Sequence, residues 1–270
     1  MYERIVCLTE ETTEALYLME EDWRIVGISG FTVRPPRARK EKPKVSAFIS
    51  AKIDKILALE PDLVLGFSDM QADIAAQLIR AGVQVHVFNQ RTVAGIFEMI
   101  RTLGALADAE DGARGLIAAF RDGLADIRRD AASLPRRPRV YFEEWDDPMI
   151  SGIGWVSELI ALAGGEDCFA ELALAPSATE RIVADGTAVV RRAPDIVIGS
   201  WCGKKFRPEK VRARPGWHAV PAIRDGHLYE IKSCDILQPG PAALTDGVRQ
   251  IAAIFRQWAA GTPDRTAAGA

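Results

Sequence analysis

Two hydrophobic periods alternate along the first ninety residues. Short runs of branched apolar residues at Arg4–Leu8, Arg24–Ile28, Asp62–Gly66 and Gln84–Phe88 read as strands. Between them, apolar positions recur at helical spacing: Ala15, Leu16, Leu18 and Met19 mark one short helix, and Ile53–Leu59 and Gln71–Arg80 two more. Strands that alternate with amphipathic helices of about ten residues predict a parallel α/β sheet. The segment 31–45, FTVRPPRARKEKPKV, breaks the pattern. With three prolines and six cations among fifteen residues it reads as a surface loop.

From Thr92 the period changes. Thr92 caps a helix through Leu106, with Ile96, Ile100 and Leu103 on one face. Asp108 caps a second helix running to about Ala132, with Leu116, Ile117, Phe120, Leu124 and Ile127 as its stripe. A helix of that length is a rod of about 36 Å, stopped by Pro135 and Pro138. Alternation then restarts, with strands at Arg139–Glu143, Asp195–Gly199 and Leu228–Ile231, a helix at Trp155–Ala163 and a last helix at Pro241–Ala259. The restart repeats the first half. Glu60-Pro61-Asp62-Leu63-Val64-Leu65 returns as Ala193-Pro194-Asp195-Ile196-Val197-Ile198, each after a helix. The reading is an N-terminal α/β lobe (residues 1–107), an interlobe helix (108–134), a C-terminal α/β lobe (135–262) and a disordered tail (263–270).

Composition narrows the function. In 270 residues, 48% hydrophobic and 26% charged, the formal charge is −3, which gives no field to gather nucleic acid. Three His and four scattered Cys without a CxxC leave no zinc-ribbon or thioredoxin-type motif. No apolar run reaches the length of a membrane span, so no membrane insertion is expected. Residues 1–10 read as a strand rather than a leader, which places the chain as written in the cytoplasm, or in the periplasm if a leader lies upstream.

Two α/β lobes put their ligand-facing loops after the strands. The ordered set RIVCLTEETTEAL, KILALEPDLVLG, AGVQVHVF, ELIALAGGEDCF, RRAPDIVIG and IRDGHLYEI resembles the substrate-binding proteins of ABC importers for cobalamin, iron-siderophores and haem, across about residues 4–258. The cobalamin branch is the most similar. The resemblance implies two Rossmann-like lobes with parallel sheets joined by a long backbone helix, the class III periplasmic-binding-protein architecture. It also implies a non-enzymatic monomer that holds a cobalamin-like corrinoid and meets an ABC permease. A cytoplasmic relative of such a component, a ferric siderophore or haem ligand, and a metal-dependent enzyme using 143–147 with Cys202 are the alternatives.

The strand-end loops supply the candidate ligand residues: Phe31, Arg34, Phe67, Glu143, Trp145, Asp147, Trp201, Cys202 and Cys234. The resemblance adds Phe48. Trp145 and Trp201 suit a large flat ligand, whereas Trp23, Trp155 and Trp258 read as packing residues. The acidic run 143–147 fits ligand contact, a solvated turn or catalysis. Arg34, with Arg37, Arg39 and Lys40, is either a solvated face or a contact for an anionic group. Cys202 and Cys234 are small apolar residues, a disulfide or soft metal ligands. His86, inside an alternating strand, reads as a core residue. By family spacing, permease docking falls on Asp54 in lobe one. Thr187 occupies the lobe-two position, with Asp185 nearby.

Overall fold

A computed structural model describes residues 2–261; the expected tail 263–270 lies outside them. The first half carries strands β1 (Ile5–Cys7), β2 (Ile25–Ser29), β3 (Lys44–Ser46), β4 (Leu63–Phe67) and β5 (Val85–Phe88). Among them run helices α1 (Glu10–Leu18), α2 (Ala38–Glu41), α3 (Ile53–Leu57) and α4 (Ala72–Arg80), followed by α5 (Val93–Leu106) and the 22-residue α6 (Glu110–Ala131). The second half carries β6 (Arg139–Asp146), β7 (Met149–Ser151), β8 (Glu166–Asp167), β9 (Ile196–Gly199) and β10 (Leu228–Glu230). Its helices are α7 (Gly154–Leu162), α8 (Ala170–Ala173), α9 (Gly186–Arg192), α10 (Pro208–Arg212), α11 (Pro221–Arg224), α12 (Ser233–Ile236) and α13 (Val248–Ala259).

The chain forms two compact units. In the first, five parallel strands lie in the order β3-β2-β1-β4-β5. In the second, β10-β9-β6 are parallel, β8 pairs with the start of β6, and β7 returns antiparallel on its end. Strand order reverses between β1 and β4 in one sheet and between β6 and β9 in the other. Those are the switch points at whose carboxyl edges open α/β sheets take ligands.

The repeated Pro-Asp has a structural role. The carboxylate of Asp62 accepts the backbone N–H of Glu3 (2.7 Å) and Arg4 (2.9 Å), fixing the entry to β1. Asp195 accepts the N–H of Arg139 (2.9 Å) at the entry to β6. The residues before the two prolines, Glu60 and Ala193, both have positive φ, 46° and 44°. The two halves therefore repeat a clamp as well as a sequence.

The strands of the switch points are apolar runs because both faces are covered. Val6, Leu8, Val45, Ile56, Val64, Ile74 and Leu78 form one core of the first unit. In the second, Tyr141 meets Phe169 and Trp217 edge-on at 5.4 and 5.9 Å, with Val197 and Leu228 in the same core. Along α6 the buried positions are Ala113, Ile117, Phe120, Leu124 and Ile127, the helical stripe expected, except that Leu116 is only half-buried.

Several elements differ from the sequence reading. The loop 31–45 contains a helical turn, α2, and an edge strand, β3, paired with β2. The strand at Arg139 runs on to Asp146 and folds back through Asp147 and Pro148 into β7. The last helix opens with a π segment, Ala243–Gly247. Trp23, expected to pack, is exposed, and Arg24 stacks on it at 4.2 Å.

Candidate functional site

At the switch point of the first unit, one side chain ties three pieces together. Gln71, buried at the head of α4, accepts the N–H of Phe67 (3.0 Å) and donates to the carbonyl of Phe48 (2.8 Å) and, at 3.5 Å, to that of Leu8. It thereby fixes the loop carrying Phe48 against the ends of β1 and β4. Phe48 is half-buried and its neighbour Ile49 is exposed. Ser68, directly after β4, is held at φ 61°, ψ 174°, a conformation that costs a non-glycine residue about 1–3 kcal/mol and gathers at ligand sites.

Helix α1 leaves the same edge with three buried carboxylates in its first half, Glu10, Glu11 and Glu14. Glu14 pairs with Arg34 (2.8 Å). Glu11 accepts from the Thr9 hydroxyl (2.6 Å), and the backbone of Gly240 crosses above it, so that a Cβ at Gly240 would lie 2.4 Å from that of Glu11. Burial pushes Glu11 up to about 7, and the Glu14 charge adds to it, against the Thr9 hydrogen bond. A carboxyl raised in the folded state stabilises below its unfolded value of about 4.3, and that contribution is lost as pH rises through 7. Glu11→Gln is therefore expected to raise stability more at pH 8 than at pH 5, the difference being about 2–3 kcal/mol. Urea unfolding at the two pH values measures this; equal effects at both would refute it.

The second unit's switch point is built on an ion pair inside the core. Glu143, with 0% exposure, receives Arg214 through Nη1 (2.6 Å) and Nη2 (2.9 Å), the Trp201 indole N–H (3.0 Å) and the Tyr141 hydroxyl (2.9 Å). Farther along β6, Asp146 is bonded by Lys204, with Lys210 at 4.0 Å. Burial pushes the Asp146 carboxyl up, but the Lys204 hydrogen bond and charge outweigh it and hold the group below the usual range. The same Lys204 ammonium sits 3.7 Å from the centre of the Trp145 ring and 5.3 Å from that of Trp201. Trp145 is half-exposed, and its N–H is tied to the Asp147 carbonyl (2.8 Å). Its ring is thus held by a hydrogen bond at one end and a cation on one face.

The expected ligand residues therefore divide. Phe31 (66% exposed), Arg34, Phe48, Trp145, Asp147 and Cys202 reach the surface at strand ends. Glu143 and Trp201 do not: burial and the Arg214 pair make them framework, which corrects the expectation that they face a ligand. Phe67 is buried as well. Cys234 is half-buried, beside Ser233, whose side chain touches the Cys202 thiol; no disulfide joins the two cysteines. His86 is half-buried rather than core, on edge strand β5, where its ring meets Phe88 at 4.3 Å. Asp54 is exposed in the first turn of α3, and Asp185 caps α9 through the Thr187 N–H (2.9 Å).

Two α/β units on a shared pattern, each with a switch point fed by strand-end loops, is the geometry on which the comparison with known proteins turns. A family model described as periplasmic binding protein matches residues 5–234. The chain belongs to the periplasmic binding protein family. Its fold is the class III arrangement of that family, α/β with parallel sheets and a long helix in the chain between them. Among curated relatives, a vitamin B12-binding protein of Vibrio parahaemolyticus is 27% identical over 252 residues, covering 90% of this chain and 86% of its own. An uncharacterized ABC transporter substrate-binding lipoprotein of Bacillus subtilis is 24% identical over 258 residues, 92% of this chain and 78% of its own. A solved periplasmic heme-binding protein from Roseiflexus superposes with a TM-score of 0.78 at 22% identity, covering 94% of this chain and all of its own. No helix among the described residues is long and apolar enough to cross a membrane.

Proposed function

We propose that this periplasmic binding protein is the substrate-binding component of an ABC import system, acts as a monomer without turnover, and binds a cobalamin-like corrinoid. The observation that carries the reading is aromatic. Each switch-point edge presents an aromatic residue: Phe48, whose backbone carbonyl is held by Gln71, in the first unit, and Trp145, whose ring is held by Lys204 and the Asp147 carbonyl, in the second. Rigid aromatic walls with few polar groups suit a large, largely flat ligand. The vitamin B12-binding relative agrees with it. Phe31, Arg34, Asp147 and Cys202 supply the polar and apolar rim, and Asp54 and Asp185 are assigned to permease docking. Metal-dependent catalysis through Glu143 is disfavoured, since both oxygens of that carboxylate are already bonded inside the core.

A ferric siderophore or haem is the second reading, favoured by Arg34 and by the heme-binding structural neighbour. Haem iron takes His, Cys, Met or Tyr at its axial positions; the strand-end loops of this chain carry no His or Tyr, which leaves Met70, Met149, Cys202 and Cys234 as the axial candidates for that reading. Isothermal titration with cyanocobalamin tests the first reading. Binding is expected with one site per chain, weakened about 10–100-fold in Trp145→Ala and Phe48→Ala, the range lost when a ring wall is removed. Unchanged affinity in both variants would refute the assignment.

A further inference from the structure

The loop after β2 is fastened to the first turn of α1 by a carboxylate shut away from water. Glu10 is 4% exposed. Its Oε2 accepts the backbone N–H of Val33 and that of Arg34 (3.1 Å), while its Oε1 is buried with no hydrogen-bond partner. The Thr32 hydroxyl, next to the latched amides, is also buried without a partner. Among the described residues, the charged groups around Glu10 bring it no compensating cation. Glu11 and Glu14 on its own helix are like charges; Arg34 from the loop is paired with Glu14; Arg39 from α2 donates to the carbonyls of Gly30 (2.8 Å) and Thr32 (2.7 Å).

A carboxylate oxygen buried without a partner is costly while ionised and far less so once protonated. Lifting the loop from α1 would let water reach Glu10 and remove that cost. Protonation therefore favours the closed loop, and ionisation favours the open one. We propose that Phe31–Arg34 is a proton-coupled flap, which takes up one proton at Glu10 as it closes and is released as the pH rises. Burial pushes Glu10 to about 7, against the Val33 and Arg34 amides that pull it down and with the Glu14 and Glu11 charges that add to it. The coupling thus falls between about pH 4.3, the ordinary glutamate value regained in the open loop, and about 7. Because the flap carries Phe31 and Arg34, the outer edge of the first unit changes with it, whatever ligand is bound there.

Hydrogen exchange of the 31–34 amides, corrected for intrinsic rates, reads the flap directly. In the full chain, protection is expected to be about tenfold greater at pH 6 than at pH 8. Glu10→Gln should hold the loop closed at both, and Glu11→Gln should keep the wild-type dependence. Equal protection at the two pH values, or a dependence that survives in Glu10→Gln, overturns the flap. Should Glu10→Gln fail to fold, carboxyl carbon NMR of the unaltered protein decides: a Glu10 midpoint near 7 supports the coupling, and one between 4 and 5 overturns it.

Discussion

Glu143→Ala is expected to destabilise the second unit by about 3–5 kcal/mol, the range for breaking a buried ion pair from one side. The loss comes less from the attraction removed than from what is left behind. Arg214 keeps its charge in a site only 16% open at the side chain, and the Trp201 indole and Tyr141 hydroxyl lose their acceptor. Each buried donor left unpaired adds about 1–3 kcal/mol. Glu143→Gln keeps the shape and an acceptor and should cost about half as much. Urea unfolding followed by tryptophan fluorescence measures both. A carboxylate that served a ligand would give the opposite pattern, with stability nearly unchanged and binding lost, so this variant separates framework from contact.

The other large effect is steric. An ideal Cβ at Gly199 would lie 1.9 and 2.1 Å from two ring carbons of Phe206. That ring cannot swing aside: it is 2% exposed, packed edge-on against Trp201 at 5.0 Å, and its own backbone N–H is bonded to Glu230 (3.0 Å). Gly199→Ala is expected to cost about 3 kcal/mol, the upper end for overpacking a core, and to shift the Trp201 environment as well. In the Phe206→Ala background the same change should cost little, giving a strongly non-additive cycle. A single substitution within about 0.5 kcal/mol of wild type would show that the ring yields. Gly199 ends β9 one residue before the loop of Trp201 and Cys202, so the close approach is part of how that edge is shaped.

The strands of both switch points were legible because burial on two faces writes them as continuous apolar runs: Ile5–Cys7, Leu63–Phe67 and Ile196–Gly199 sit where the sequence places them. The Pro-Asp repeat was legible too, although what its aspartates do was not: the amides they hold are 59 and 56 residues away along the chain. Strand β3 was hidden because an edge strand needs only one buried residue, Val45, among lysines and prolines. At Glu143 the sequence shows an acid after a strand, which is equally the pattern of a ligand group. Its partner Arg214 lies 71 residues later in a run of cations, and no local spacing marks which of them turns inward. Lys204 on Trp145 is missed for the same reason. Aromatic walls at strand ends were readable as residue types; which rings face out was decided by these long-range pairs.

Loading with three coloured ligands tests the binding assignment most directly. The purified chain is incubated in turn with cyanocobalamin, hemin and a ferric hydroxamate, freed of unbound ligand by gel filtration, and read by its visible absorbance. One equivalent of cyanocobalamin should be retained by the unaltered protein and less by Trp145→Ala, with hemin and the ferric hydroxamate passing through. Retention of hemin or the ferric hydroxamate at one equivalent, with cyanocobalamin washed away, would contradict it.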